Sequence, residues 1–400
     1  MTLKRTTQSR ISRTVQDLKP SGIREFFDLV MGMDDVISLG VGEPDFPTPW
    51  RVCDAVIESL RNGATSYTSN LGMEELRVEV AQYLEGKYGV TYDPASQILI
   101  TVGVSEAVDL AMRALLDPGD DFLIPDPCYV SYGPCVELAH GLPITVPTHA
   151  EDEFRLTADE LAGACTERTR GLLFSNPSNP TGSVMRREHL AEVAEVAKDR
   201  DLVVISDEVY AELTYDGTHT SIASLPGMAE RTLLLNGFSK ADAMTGWRVG
   251  YACGPAEIIE AMTRMHAYTT MCVPIMGQIA AIEALRRGED DRARMVAEYD
   301  QRRRVFVNGL NRIGLDCFEP MGAFYAFPSV RSTGLTSEQF AKTLLTDQRV
   351  AVVPGNAFGA SGEGHVRCSY ASSISDLREA LARTETFLER LDAGEVQPDE

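Results

Sequence analysis

The chain has 400 residues, 44% of them hydrophobic and 7% aromatic, enough apolar material for one large domain with a smaller partner. Its formal net charge of −22 would repel a polyanionic backbone, which sets nucleic acid aside as a partner, and no apolar run is long enough to cross a bilayer. The basic N-terminal residues Lys4, Arg5, Arg10, Arg13 and Lys19 precede no apolar segment, so they do not read as a secretory signal. The eight cysteines are scattered without a C-x-x-C pair. In a chain of this size they read as reduced, mostly core thiols of a cytoplasmic protein. Cys128, beside Tyr129, is either a packed residue or a pocket wall.

In chain order, a short strand is expected at 36–39, far from the main pattern and grouped with the C-terminal part. From about Pro49 to Arg286 apolar runs alternate with helical patterns. Strands are expected at 97–102, 121–124, 143–146, 171–174, 202–205, 231–236 and 249–253. Several are continuous Val/Ile/Leu runs, as in strands covered on both faces. Helices are expected at 106–116, 186–200 and 258–267; the first carries an apolar face of Val108, Ala111, Met112 and Leu115 and stops at Asp117-Pro118-Gly119-Asp120. Such alternation predicts an α/β sheet with ligands at the carboxyl ends of its strands. The C-terminal third changes character: a charged helix around 292–312, extended pieces at 314–318, 322–327 and 350–353, and a closing helix at 375–391. The expected division is a large domain over 49–286 and a smaller α+β domain from 1–48 and 287–400.

The chemistry-bearing segments lie at strand ends. Lys240 follows the strand at 231–236 in a turn of small residues. Alone it would read as a surface lysine, since lysine is seldom buried without a partner or a task. Arg248, eight residues on and at the start of the next strand, changes that, because a guanidinium there can grip a phosphate. Ser206-Asp207-Glu208-Val209-Tyr210 puts Asp207 at the carboxyl end of the strand at 202–205, as a base, a cation partner or a metal ligand. No histidine cluster accompanies it, which weakens the metal reading. Ser175-Asn176-Pro177-Ser178-Asn179-Pro180-Thr181-Gly182 is a bent, rigid loop, either a plain turn or a fixed amide at Asn179. Through Gly103-Val104-Ser105 a strand runs directly into a helix, and the first N–H groups of that helix form an anion site.

Together and in this order, these segments resemble the fold type I, class I/II pyridoxal-phosphate-dependent aminotransferases, the aspartate aminotransferase superfamily. The resemblance runs from about Ser21 to Leu391. It includes Gly40-Val41-Gly42-Glu43-Pro44-Asp45-Phe46-Pro47, Tyr67 before the stretch with Gly72 and Glu75-Leu76-Arg77, Asn179-Pro180-Thr181-Gly182, Ser239-Lys240, Thr245-Gly246-Trp247-Arg248 and His365-Val366-Arg367. Ser21-Gly22-Ile23-Arg24 and Gly362-Glu363-Gly364-His365-Val366-Arg367 are similar to a bacterial and archaeal branch with aspartate and N-acetyl-diaminopimelate aminotransferases.

The resemblance implies a large domain with a mostly parallel seven-stranded sheet between helices and a smaller α+β domain built from both chain ends. It implies pyridoxal 5'-phosphate as cofactor and no metal. Lys240 would hold the cofactor as a Schiff base and move the proton between the substrate Cα and the cofactor. Asp207 would pair with the ring nitrogen, Tyr210 and Asn179 with the ring oxygen, and Tyr129 would stack on the ring. The phosphate would rest on the N–H groups of Val104 and Ser105, on Arg248, and on Tyr67 from the partner subunit of a homodimer with active sites at its interface. Where some members carry a hydroxyl three positions before the lysine, this chain has Gly237, and Ser239 is the available substitute. Arg367 would bind the substrate α-carboxylate, with Gly42 and Asn179 beside it. The implied reaction is a ping-pong transfer of the amine of an L-amino acid to a 2-oxo acid such as 2-oxoglutarate. Aspartate ranks first as donor, N-acetyl-diaminopimelate second, aromatic amino acids or alanine after; selectivity is expected at Ile23, at residues 67–70 and in the partner subunit. Two alternatives share the scaffold: a C–S lyase or other elimination enzyme, and a non-catalytic regulator that binds the cofactor.

Overall fold

A computed structural model of the chain describes residues 10–18 and 32–397. The segment 21–24, with Ile23, lies outside the described residues. The strands are β1 (Ile37–Ser38), β2 (Ile98–Thr101), β3 (Asp121–Asp126), β4 (Leu142–Pro147), β5 (Thr169–Ser175), β6 (Val203–Asp207), β7 (Thr232–Gly237), β8 (Gly250–Cys253), β9 (Tyr325–Ala326), β10 (Val350–Ala351), β11 (Val353–Pro354) and β12 (Val366–Ser369). Strands β2 to β8 form one seven-stranded sheet in the order β2-β8-β7-β6-β5-β3-β4, in which β8 alone runs antiparallel to its neighbours. Each expected strand of this sheet is present to within two residues at either end.

Helices cover both faces of the sheet, which is why its strands are mostly apolar and buried, the edge strand β4 excepted. On one face the helix Gly103–Leu115 packs Ala107, Val108, Ala111 and Met112 against Leu99, Leu233, Leu235 and Ala252. On the other, Val80 and Leu84 of the helix Glu74–Tyr88 and Ala280 and Ala281 of the helix Ile275–Arg287 meet Ile98, Ile100, Leu234 and Tyr251. Neighbouring residues of β2 therefore serve opposite faces, as the two-residue period of a strand requires. Each fully buried Val, Leu, Ile or Met side chain among these is worth about 1.5–3 kcal/mol. The helix Gly103–Leu115 stops where expected: Asp120 N–H donates to Asp117 O (3.1 Å), Asp117 N–H donates to Asp120 Oδ2 (3.0 Å), and Gly119 takes φ +92°.

In the C-terminal part, β1 pairs in parallel with β10, and β9, β11 and β12 make an antiparallel sheet in the order β11-β12-β9. The helix Glu289–Arg312 and the helix Ile374–Asp392 pack on each other beside these strands. Three extended pieces differ from expectation. Residues 314–318 form no ladder, because Cys317 N–H donates to Asn311 Oδ1 (2.9 Å) and Asp316 O accepts from Ser329 N–H (2.8 Å). The stretch 322–327 shortens to β9, since Gly322 N–H goes to Gly182 O (3.0 Å) and Ala323 N–H to Leu213 O (2.8 Å). The run 350–353 divides at Val352 into β10 and β11, which belong to different sheets. All eight cysteines are free, but only Cys253, Cys317 and Cys368 are buried, so the expectation of mostly core thiols is corrected to three. No described helix is long and apolar enough to cross a membrane.

Candidate active site

The carboxyl ends of β5, β6 and β7 and the turn after β2 open on a cavity of about 800 Å³. It is lined by Gly42, Val104, Ser105, Tyr129, Asn179, Asp207, Tyr210, Ser239, Lys240, Arg248 and Arg367, all singled out in the sequence. Tyr67 is not among them. It stands 82% exposed on the segment between the helix Trp50–Arg61 and the helix Glu74–Tyr88. Cys128 is not a wall of this cavity; Cys135, one helical segment later, is.

Lys240 sits in the turn that follows β7, and the turn is held from several sides. Asp242 pairs with Arg292 of the helix Glu289–Arg312 (2.8 Å), both buried. Thr48 Oγ1 donates to Ala243 O (2.6 Å) and accepts from Trp247 Nε1 (2.9 Å). Lys240 Nζ itself donates to Gly42 O (2.6 Å) and lies 5.7 Å from the ring centroids of Tyr210 and Phe324. Burial, and then the positive charge of Arg367, push its amine down to about 8.

Asp207 ends β6 and is buried. It accepts from Tyr132 Oη (2.7 Å) and from Val209 N–H (3.2 Å), and burial raises its carboxyl to about 6 against these two bonds. No lysine, arginine or histidine among the described residues pairs with it. Tyr132 was missed in the sequence. The signal was its place three residues after Tyr129, and the two rings meet edge to face at 5.5 Å. Tyr210 follows β6, and its hydroxyl lies 2.8 Å from that of Tyr325, a second residue the sequence did not single out.

On the other side of the cavity, three glycines let backbone and cation approach. A Cβ on Gly103, whose φ is +70°, would sit 2.5 Å from Arg248 Nη2, and one on Gly250 would sit 2.8 Å from Val104 N. A Cβ on Gly237 would sit 2.9 Å from Gly250 Cα, so the position of the hydroxyl found in some family members is closed by β8. Ser239 and Ser105 supply hydroxyls on the cavity wall instead. Arg248 takes a left-handed φ of +53° and donates to Thr245 O (3.0 Å).

Arg367, on β12, is buried between the rings of Tyr325 and Phe358, 4.5 and 4.7 Å from their centroids. Its Nη1 donates to Asn179 Oδ1 (3.0 Å) and its Nη2 to Gly40 O (2.6 Å). Its Nε has no hydrogen-bond partner among the described residues. Asn179, the amide of the loop after β5, thus spends its oxygen on Arg367 and keeps its N–H groups for another acceptor.

The family model described as aminotransferase class I and II matches residues 34–383. The chain belongs to the class I and II aminotransferases. It is 53% identical to a putative aminotransferase, YugH, of Bacillus subtilis over 96% of this chain and 99% of the relative. It is 47% identical to an aspartate aminotransferase of Pyrococcus abyssi over 93% of this chain and 96% of the relative. The solved aromatic aminotransferase of Pyrococcus horikoshii superposes with a TM-score of 0.88 at 46% identity, over 92% of this chain and 99% of that one. As an aminotransferase of this family the protein uses pyridoxal 5'-phosphate to move amino groups between amino acids and 2-oxo acids; elimination chemistry is not favoured by these relatives.

Proposed function

We propose that the cavity holds pyridoxal phosphate and an L-amino acid, with Lys240 as the cofactor-bearing residue. The observation that carries this reading is the pairing, in one cavity, of a half-buried lysine whose amine is lowered to about 8 with a buried carboxylate that has no cationic partner among the described residues. The cofactor has three polar ends, and the residues fit each. Asp207 suits a protonated ring nitrogen, the Gly103 turn with Arg248 suits a phosphate, and Lys240 suits an aldehyde.

Bound pyridoxal phosphate supplies an electron sink for the charge left on the substrate Cα when its proton departs. The protein does the rest. Lys240 takes that proton and returns it at the cofactor C4′. Asp207 keeps the ring nitrogen protonated, Tyr210 and the Asn179 amide donate to the ring oxygen, and Tyr129 covers the ring face. Val104 and Ser105 N–H, Ser239, Arg248 and a partner subunit's tyrosine equivalent to Tyr67 hold the phosphate. Arg367 grips the α-carboxylate, with Asn179 and Gly42 beside it.

The lowered amine gives a pH signature. Its neutral form is the nucleophile, and at pH 7 that form is on the order of a few hundredfold more populated than for an ordinary lysine. Capture of added pyridoxal phosphate by the cofactor-free protein should accelerate as pH rises toward about 8 and level off above it. A rate still climbing between pH 9 and 10, followed by the rise in visible absorbance, would refute the lowered value.

A homodimer is the assembly we infer, supported by Tyr67 at 82% and Tyr268 at 90% exposure, with Trp50 and Met271 also exposed. Asn70 Nδ2 ties the Tyr67 segment to Met271 O (2.6 Å). The division into 49–286 and 1–48 with 287–400 is supported by the pairing of β1 with β10. A cytoplasmic location is supported by the eight free cysteines.

For the donor we rank aspartate first, in line with the Pyrococcus abyssi relative. An aromatic donor is the second reading. The cations lining the cavity are Lys240, Arg248 and Arg367, each with a task already, whereas Val41, Val104, Val108 and Val130 make an apolar wall. A panel of amino donors against 2-oxoglutarate, read as oxo-acid formation, decides. The highest kcat/KM with aspartate supports the first reading, the highest with phenylalanine or tyrosine the second. No turnover with any donor by the cofactor-loaded protein would overturn both.

A further inference from the structure

We propose that Tyr325 is a positioning residue that couples the two halves of the site, its hydroxyl orienting the Tyr210 phenol and its ring holding the Arg367 guanidinium. This rests on the cavity being the cofactor site described above.

The coupling follows from register. Tyr325 opposes Ser369 in the antiparallel pair of β9 and β12. Arg367 is two residues before Ser369, so its side chain emerges on the same face, diagonal to Tyr325 and within reach of an aromatic ring. The guanidinium carbon stands 4.5 Å from the Tyr325 centroid, with Phe358 closing the other side at 4.7 Å. The planar cation is thereby slotted between two rings, while its Nη atoms are aimed by Asn179 and Gly40.

The far end of the same side chain meets the other half of the site. Tyr325 is 1% exposed, and its hydroxyl lies 2.8 Å from the Tyr210 hydroxyl. A phenol has one proton to give and two lone pairs. When Tyr325 donates to Tyr210, the Tyr210 proton stays free for the cofactor ring oxygen, and Tyr210 is fixed in the orientation that presents it. Burial raises both phenols, so each keeps its proton at neutral pH and Tyr325 is able to donate. Gly42 makes room for the arrangement, since any Cβ there would collide with the Tyr325 hydroxyl, and the Gly42 carbonyl accepts from Lys240. One tyrosine thus touches a neighbour of the cofactor ring, the substrate carboxylate clamp and the glycine that receives the catalytic lysine. In the sequence it lay inside an apolar stretch and carried no signal of its own.

The two ends can be separated. Y325F removes the hydroxyl and keeps the ring; Y325L removes both. A donor to the ring oxygen favours its deprotonated form, so weakening that donor moves the pH midpoint of the visible absorbance change of the loaded enzyme upward. Y325F is expected to raise this midpoint in the same direction as Y210F and by less. Its kcat should fall about five- to tenfold, the scale of one hydrogen bond, with KM unchanged and with wild-type affinity for succinate, a carboxylic acid that cannot react. Y325L should in addition weaken succinate binding by about tenfold, the scale of a desolvated cation–ring contact. If Y210F moves the midpoint and Y325F leaves it in place, or if Y325L binds succinate as the wild type does, Tyr325 is not the coupling residue and the site reading stands. If Y210F does not move it either, the site reading itself fails.

Discussion

Lys240→Ala is expected to lose the visible absorption of bound pyridoxal phosphate and to slow transamination by at least about 10⁴-fold, since in the proposed reading one side chain is both nucleophile and proton carrier. The fold should survive. The Lys240 side chain makes a single hydrogen bond, to Gly42 O, and its neighbours in the turn are held by Asp242–Arg292 and Thr48–Ala243, contacts that the alanine leaves intact. Far-ultraviolet circular dichroism and the melting temperature should therefore match those of the cofactor-free wild type. Removing a half-buried amine also removes its desolvation cost, so a modest rise in Tm is the direction of any change. Turnover within tenfold of wild type in a properly folded variant would disprove the assignment.

Asp207→Asn carries the second largest effect. The amide keeps the shape of the carboxylate and loses its charge, so in the proposed reading the ring nitrogen would no longer have an anion beside it. Loss of one preorganised electrostatic partner typically costs about 10²- to 10³-fold in kcat, and that is the drop expected here. KM for the amino donor should change little, because Arg367 and Asn179, the proposed carboxylate contacts, keep their bond to each other. The variant should also release pyridoxal phosphate more readily on dialysis. In the wild type the Asp207 carboxyl is raised to about 6 by burial. Before a cation sits beside it, the charge that attracts the ring nitrogen is present above that pH and fades as pH falls through it. Cofactor affinity of the cofactor-free protein should accordingly weaken below about pH 6 in the wild type but not in the asparagine variant. A wild-type profile flat from pH 5 to 8 would contradict this.

Much of this was legible in the residues. Continuous Val/Ile/Leu runs marked the strands of the central sheet because helices cover both its faces. Lys240, Asp207, Asn179 and the Gly103 turn were conspicuous because each follows such a run directly. Other features left weaker traces. Tyr132 and Tyr325 read as ordinary buried aromatics, since a ring in an apolar segment is far more often core than site; only their hydroxyl partners, Asp207 and Tyr210, set them apart. The run at 350–353 looked like one strand because propensity does not say which sheet a residue joins, and tertiary pairing sends its halves to β1 and β12. Residues 314–318 looked extended, yet their backbone groups are taken by Asn311 and Ser329. Cys128 drew notice by its neighbour Tyr129, whereas Cys135 reaches the cavity from the following helix. Tyr67 does not line the cavity of its own chain, and its exposure is the physical reason to look for a second one.

The most direct test is chemical trapping: reduction of the pyridoxal-phosphate-loaded wild-type protein with borohydride, proteolysis and peptide mass analysis. The expected result is a phosphopyridoxyl group on Lys240 and on no other residue, absent when an excess of amino donor is added before the reductant. Attachment at a different lysine, or none at all in protein that shows the visible band, would contradict the assignment of Lys240.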